Sequence, residues 1–373
     1  MTICIISHTE HYKDNNGNIV GWGPTITEIN HLANDYDLIY HLAFLYEGKP
    51  KMSSIPYLAE NIEFIALPIS GGTSILDKLF ILQSIPQTLN RINRVLKKVD
   101  AFQFRTPIGF GVYLIPYLTF FSSKEGWYKY AGNWNQKNAS IGYRLQRYFL
   151  KKQNRKVTIN GRWPDQPENC LTFENPCLTK EERLLGEQIL NVKRYEAPFR
   201  FCFVGRLEDE KGVQRIIDAI NSLKSKGLIQ QIDMIGDGLK RQDYQNQITK
   251  NRLPIKLHGF LPRDKVFEIY KEAHFLLLPS TASEGFPKVI AEAMNYGCIP
   301  IVSSVSSIGQ YVNASNGYII KPTTVEKLHN ILESVENTQG KELKSKADNG
   351  YLVSKDFTFE HYRFRIKNEI LNF

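Results

Sequence analysis

The stretch Pro279-Ser280-Thr281-Ala282-Ser283-Glu284-Gly285-Phe286-Pro287-Lys288-Val289-Ile290-Ala291-Glu292-Ala293-Met294 decides the fold. It follows His274 to Leu278, an almost wholly apolar run of the kind expected when both faces of a strand are covered. Pro287 opens a helix that runs to about Tyr296, and Gly297 follows it, the asymmetry expected of helix ends. Ile299 to Ser303 gives the next strand. Strand, loop, helix and strand in this order form the repeating unit of a parallel sheet.

Upstream the same alternation continues. Phe199 to Val204 reads as a strand, Val213 to Lys224 as a helix with Ile216, Ile217, Ile220 and Leu223 on one face, and Gln231 to Ile235 as a strand. Asp237 to Lys250 reads as a helix, Ile255 to His258 as a short strand, and Asp264 to Glu272 as a helix. Ligands of open α/β sheets bind beyond the carboxyl ends of the strands, so the residues that follow each strand carry the information. They are Gly205-Arg206-Leu207-Glu208-Asp209-Glu210-Lys211-Gly212, Gly236-Asp237-Gly238, His258-Gly259-Phe260 and the Pro279 to Pro287 loop. Arg206 and Lys211 offer two cations to a diphosphate, or pair at the surface with Glu208 or Asp209. Glu284 enters the helix and Glu292 lies on it, so the two carboxylates address different parts of an elongated ligand, unless Glu292 is a solvated helix residue. Amides near Lys288 and Val289, at a helix N-terminus, suit a phosphate, whereas Pro287 has none to give. Asp237 between two glycines is a turn residue before it is a catalyst, and His258 belongs either to the site or to the core.

Taken together these motifs resemble the donor-binding domain of the family 4 glycosyltransferases of the GT-B fold, retaining enzymes that use nucleotide sugars. The resemblance rests on Gly205-Arg206 with Lys211-Gly212, Gly236-Asp237-Gly238, His258-Gly259 and the Glu-x7-Glu signature from Glu284 through Gly285, Phe286, Pro287, Lys288 and Val289 to Glu292. It implies two Rossmann-like, doubly wound parallel-sheet domains facing across a cleft. Residues 1–185 would bind the acceptor, residues 186–356 the donor, and a helix over 357–373 would pack back on the first domain. It further implies that Arg206 and Lys211 stabilise the diphosphate leaving group, that Glu284 contacts the transferred sugar, and that Glu292 holds the ribose hydroxyls. No metal and no cofactor are implied, since two side-chain cations and a helix terminus supply the electrostatics.

The first half carries the match less specifically. The strand Thr2 to Ser7 leads into Gly17, Gly21 and Gly23, which sit where the family's glycine loop approaches the donor, or else form a plain β–α connection. Helix-like Thr25 to Ala33 and Leu79 to Lys98 alternate with strand-like Asp37 to Leu42, Ile62 to Ile69 and Asp100 to Phe104. Many relatives place a histidine after the last of these; here Gln103, Phe104 and Arg105 stand instead, and Arg105 is a candidate for an anionic acceptor such as a lipid-linked diphosphate. Phe359, Tyr362, Ile366, Ile370 and Phe373 fall at helical spacing.

Bulk properties fit this reading. A chain of 373 residues exceeds one ordinary core, and 42% apolar with 23% charged residues is a globular composition. The formal net charge of +9 favours an anionic partner, though without motifs for nucleic acid. Arg144, Arg147, Lys151, Lys152, Arg155 and Lys156 crowd beside Tyr143, Leu145, Tyr148, Phe149 and Leu150, either a solvated helix face or a peripheral contact with an anionic membrane. Ile108 to Phe121, interrupted by Pro116, reads as buried core. Cys4, Cys170, Cys177, Cys202 and Cys298 form no C-x-x-C pair, which with the missing signal peptide suggests the cytoplasm.

The expected function is sugar transfer from a nucleotide-diphosphate sugar to a saccharide or lipid-linked saccharide in cell-surface polysaccharide synthesis. A sugar-nucleotide epimerase, a phosphorylase and a non-catalytic nucleotide-sugar binder are the alternatives. A dehydrogenase is disfavoured, because no G-x-G-x-x-G follows the first strand of either half.

Overall fold

The computed structural model describes residues 1–70, 75–223 and 227–371, with side chains left aside over 75–82. The chain divides into two units: Met1–Glu174 together with the stretch from Tyr362 onward, and Asn175–His361. The helix Lys180–Val192, through which a division at 185 would pass, lies wholly in the second unit behind a Thr179 capping box.

The first unit holds β1 (Thr2–Lys13), β2 (Ile19–Trp22), β3 (Leu38–Leu45), β4 (Ser54–Pro56), β5 (Ile62–Leu67), β6 (Ala101–Thr106), β7 (Glu125–Tyr130), β8 (Val157–Ile159) and β9 (Cys170–Thr172). Seven of them run parallel in the order β5-β3-β1-β6-β7-β8-β9. Ile3, Cys4, Ile5 and Ile6 are all fully buried, as a strand covered on both faces requires. The expected end of the first strand at Ser7 is corrected. After a register shift between Ile6 and Glu10, β1 continues to Lys13 and pairs antiparallel with β2, which pairs with β4. The glycine-containing stretch is therefore a hairpin plus a helix start: Gly17 closes the turn on the Asp14 carbonyl, Gly21 lies opposite His11, and Gly23 donates its N–H to the Ser53 carbonyl. The helix that follows is Gly23–Leu32.

Tyr362 and Ile366 are buried with Phe173, Trp127 and Ile29 in the core of this unit. Phe373 lies outside the described residues. The run from Ile108 becomes the helix Gly111–Phe121, whose Leu114, Ile115 and Leu118 are buried, but Phe120 and Phe121 are exposed, so the expectation of a wholly buried segment is corrected at its end.

A chain of hydrogen bonds crosses β1 and β3. His11 Nδ1 donates to the Thr9 carbonyl (2.9 Å), so the neutral ring accepts at Nε2 from the Tyr57 hydroxyl (2.8 Å). Tyr57 Oη in turn lies 2.6 Å from His41 Nδ1, and His41 Nε2 lies 2.9 Å from Ser7 Oγ, which donates to Thr9 Oγ1 (2.8 Å). Burial pushes His11 down to about 4, and burial together with His11 and Arg105 pushes His41 well below its ordinary value.

Imidazoles depressed in the folded state take up protons first in the unfolded chain, so the stability they leave intact above about pH 6.5 falls as the pH drops toward 4. Urea midpoints measured between pH 7.5 and 4 should decline over that window. His11→Gln should flatten the decline while lowering stability at neutral pH by about 1–3 kcal/mol.

The second unit is a sheet of β10 (Phe199–Val204), β11 (Ile229–Ile235), β12 (Ile255–Gly259), β13 (Phe275–Leu278), β14 (Ile299–Ser303) and β15 (Tyr318–Ile320), parallel throughout in the order β12-β11-β10-β13-β14-β15. Phe201, Phe203, Leu276, Leu277 and Ile301 fill its centre. Successive strands step outward from β10 to β12, then return to the other side of β10 with β13. The winding reverses between β10 and β13, and such a reversal opens a crevice at the carboxyl ends of the two strands.

Candidate active site

The loops at that crevice are those singled out in the sequence. Beyond β10, Asp209–Lys211 forms a single 3-10 turn, closed by Gly212 at φ +94°. A Cβ at 212 would lie 2.4 Å from the Pro279 carbonyl oxygen, so only glycine lets the β10 loop lie against the β13 loop. The two loops are tied further by the Glu210 carbonyl, which accepts from Thr281 N (2.7 Å), Ala282 N (3.2 Å) and Ser280 Oγ (3.1 Å). Arg215 Nη1 donates to the Asp209 and Pro279 carbonyls at 2.9 and 3.1 Å. This bracing was not foreseen, and no local pattern marks Arg215 or Ser280 as its members.

The β11 loop interlocks with the β10 loop. Gly205 N donates to the Ile235 carbonyl (3.0 Å) and Leu207 N to the Asp237 carbonyl (2.9 Å), while Gly236 N donates to Gly259 at the end of β12 (2.8 Å). Gly236 sits at φ +135°, and a Cβ there would stand 1.8 Å from the Gly205 carbonyl oxygen. A Cβ at Gly238 would lie 2.4 Å from the Leu207 carbonyl oxygen, and the Asp237 side chain accepts the Gly238 N–H in a turn (2.8 Å).

On this frame Lys211, largely buried, makes an ion pair with the half-buried Glu284, so a cation after β10 and a carboxylate after β13 meet. Arg206 is 69% exposed, and its Nη1 contacts Glu208 Oε1 at 2.9 Å, the surface pair that the sequence left open. Gly285 offers its carbonyl to Ser307 Oγ (3.2 Å), and Phe286 turns inward against Tyr311 and Phe357, with ring centroids at 4.9 and 4.8 Å. Phe286 is thus an anchor that fixes the loop. Pro287 precedes the helix Lys288–Asn295, at whose N-terminus Lys288 and Val289 stand. Glu292 is half-buried in that helix. Packing pushes its carboxyl above the ordinary range, Arg263 and Lys288 pull it back, and Glu182 adds to the rise. Arg263 is itself held by Glu182 and the Cys177 carbonyl, residues too distant in sequence to be read as a set.

His258 lies apart from these loops: its Nε2 is 2.7 Å from Asp233 Oδ1, a buried carboxylate of β11 that also faces Arg200. In the first unit Arg105 is buried at the end of β6. Its Nη2 contacts Glu28 Oε1 at 2.8 Å and its Nε the Gln103 side chain at 2.9 Å, while Lys129 shares Glu28 at 2.7 Å and lies 4.5 Å from the Tyr362 ring centre. Among the described residues no three His, Cys, Asp or Glu side chains converge as a metal-ligand set.

Gly236→Ala should lower the unfolding free energy by more than about 2 kcal/mol, measured by urea denaturation. Gly17→Ala, at φ +83° but facing open space, should cost only about 1 kcal/mol, so the difference isolates the clash with Gly205.

Comparison with known proteins follows this geometry. Residues 187–352 match the family model described as Glycosyl transferases group 1. WcaL of Salmonella typhimurium, named for colanic acid biosynthesis, is 30% identical over 39% of this chain and 40% of its own length. AmsK of Erwinia amylovora, an amylovoran biosynthesis glycosyltransferase, is 34% identical over 31% of each chain. The chain thus spans about a third to two fifths of the curated relatives it matches. Solved structures extend the likeness of fold to both units. The Anabaena protein HepE, crystallised with UDP and glucose, covers all of both chains at TM-score 0.69 and 17% identity. Sucrose-phosphate synthase from Thermosynechococcus elongatus covers 100% of this chain and 98% of its own at TM-score 0.73 and 14% identity. The fold is that of two parallel-sheet α/β domains with GT-B glycosyltransferases as structural neighbours, and residues 187–352 are similar to the group 1 glycosyl transferases.

Proposed function

We propose that this protein is a retaining glycosyltransferase that moves a sugar from a nucleoside-diphosphate donor to a hydroxyl of a growing cell-surface saccharide, free or lipid-linked. The observation that carries the reading is the meeting of Lys211 and Glu284 at the β10/β13 reversal, with Arg206 exposed on the same β10 loop as Lys211 and a helix N-terminus at Lys288. A diphosphate is the ligand that such a set suits: two cations and free amides for the phosphates, carboxylates for sugar and ribose hydroxyls.

In this mechanism the bond between the sugar C1 and the diphosphate oxygen breaks, and its electron pair leaves with the diphosphate. Arg206, Lys211 and the helix terminus stabilise that developing charge. The acceptor oxygen bonds to C1 on the face just vacated and gives its proton to the departing diphosphate. Glu284 orients the transferred sugar and Glu292 the ribose. No metal is needed for these steps. The relatives named for colanic acid and amylovoran biosynthesis support a saccharide acceptor, and the UDP in the HepE crystals makes UDP the first nucleotide to try. Five buried, free thiols accord with a cytoplasmic setting.

Calorimetry against a panel of nucleoside diphosphates and their sugars tests the reading. One nucleotide should bind, and Arg206→Ala and Glu292→Ala should each weaken it by about 10- to 100-fold. Binding without donor consumption across a set of saccharide acceptors points instead to a non-catalytic binder, and no binding at all ends the proposal. Donor consumption should persist in excess EDTA.

A further inference from the structure

The first unit carries a feature that the donor chemistry leaves unused. The helix Ile141–Lys152 packs on the helix Gly111–Phe121 through the buried Gln146, whose amide exchanges hydrogen bonds with the Ile108 backbone at 2.9 and 3.2 Å. Its opposite face, at helical spacing, exposes Ile141, Arg144, Leu145, Tyr148 and Lys152. Ile141 is 77% and Tyr148 57% exposed. The helix contains four basic residues and no acidic one. Just beyond it Arg155 donates to the carbonyls of Leu118 (2.9 Å) and Ser122 (2.6 Å), which draws the end of this helix beside Phe120 and Phe121, 71% and 77% exposed. Lys151, Lys152 and Lys156 line an adjoining open hollow with Gln153, Asn154, Asn169 and a single carboxylate, Glu168.

Some of the cations foreseen in the sequence are committed elsewhere: Arg155 to the carbonyls just named, and Arg147 to the Gln136 carbonyl at 3.0 Å. Arg144 and Lys152, both exposed, have no acidic partner among the described residues. Exposed phenylalanines beside exposed unpaired cations cost solubility and have no role in the core. They match a surface with a negative outer layer and an apolar interior. Among the described residues no helix is long and apolar enough to cross a membrane, so the fit is to the interface.

We propose that this face docks the protein on an anionic lipid bilayer. Phe120, Phe121, Ile141 and Tyr148 enter the headgroup layer, and Arg144 and Lys152 pair with lipid phosphates. The proposal is independent of the donor reading, because none of these residues belongs to the second unit.

Vesicle flotation tests it, using the full chain with phosphatidylcholine vesicles and with vesicles of phosphatidylcholine and phosphatidylglycerol in roughly equal parts. The wild type should float with the anionic vesicles and stay behind with the neutral ones. Arg144→Gln with Lys152→Gln should weaken binding about fivefold per cation removed. Phe120→Ser with Phe121→Ser should weaken it at least about tenfold while leaving the melting temperature in place. Failure of the wild type to float with anionic vesicles overturns the proposal, as does binding that ignores the phenylalanine pair. Tighter binding to polyuridylate than to vesicles, unmoved by the same pair, would mean a nucleic-acid surface and would equally overturn it.

Discussion

Everything at the candidate site rests on the contact of two backbones, the Gly236 Cα against the Gly205 carbonyl. A parallel sheet brings the ends of its strands to one edge, but loops of ordinary side chains would hold those ends apart. Here glycines at 212, 236 and 238 let the loops after β10, β11 and β13 touch main chain to main chain, and the Glu210 carbonyl, accepting from Ser280, Thr281 and Ala282, fastens the β10 loop to the β13 loop further. The charged side chains sit on a platform braced by its own backbone hydrogen bonds. That is why Lys211 and Glu284, far apart in sequence, meet.

Much of this was legible in the sequence because parallel strands with both faces covered write themselves as apolar runs. Phe199–Val204 and Ile299–Ser303 have the bounds that their apolar runs suggest. The glycines of the second unit belong to the motifs that carry the resemblance; their geometry adds that they are spacers between loops. The first unit was harder. β1 passes from a parallel strand buried on both faces into an antiparallel hairpin without a break in β propensity, so its true end at Lys13 left no mark. Short strands such as Val157–Ile159 and Cys170–Thr172, three residues each, are below what periodicity detects.

Side-chain partners were the least legible part. Arg105 is the last residue but one of β6, near the strand end where a ligand contact is expected, yet it is buried on Glu28, a residue one helix and three strands earlier. His258 holds the same place in β12 and turns to Asp233. Position after a strand identifies the end of the sheet that matters, but the rotamer and its nearest opposite charge decide whether a group meets ligand or protein.

The return of the chain to the first unit sets an order of assembly. Tyr362 and Ile366 lie in the same core as Ile3 and Ile5, yet they are synthesised after the whole of the second unit. Until they arrive, Lys129 lacks the ring that covers it and Glu28 lies under an open roof. During synthesis the first unit is begun first and finished last, while the second, made of residues continuous in sequence, completes its own core in between.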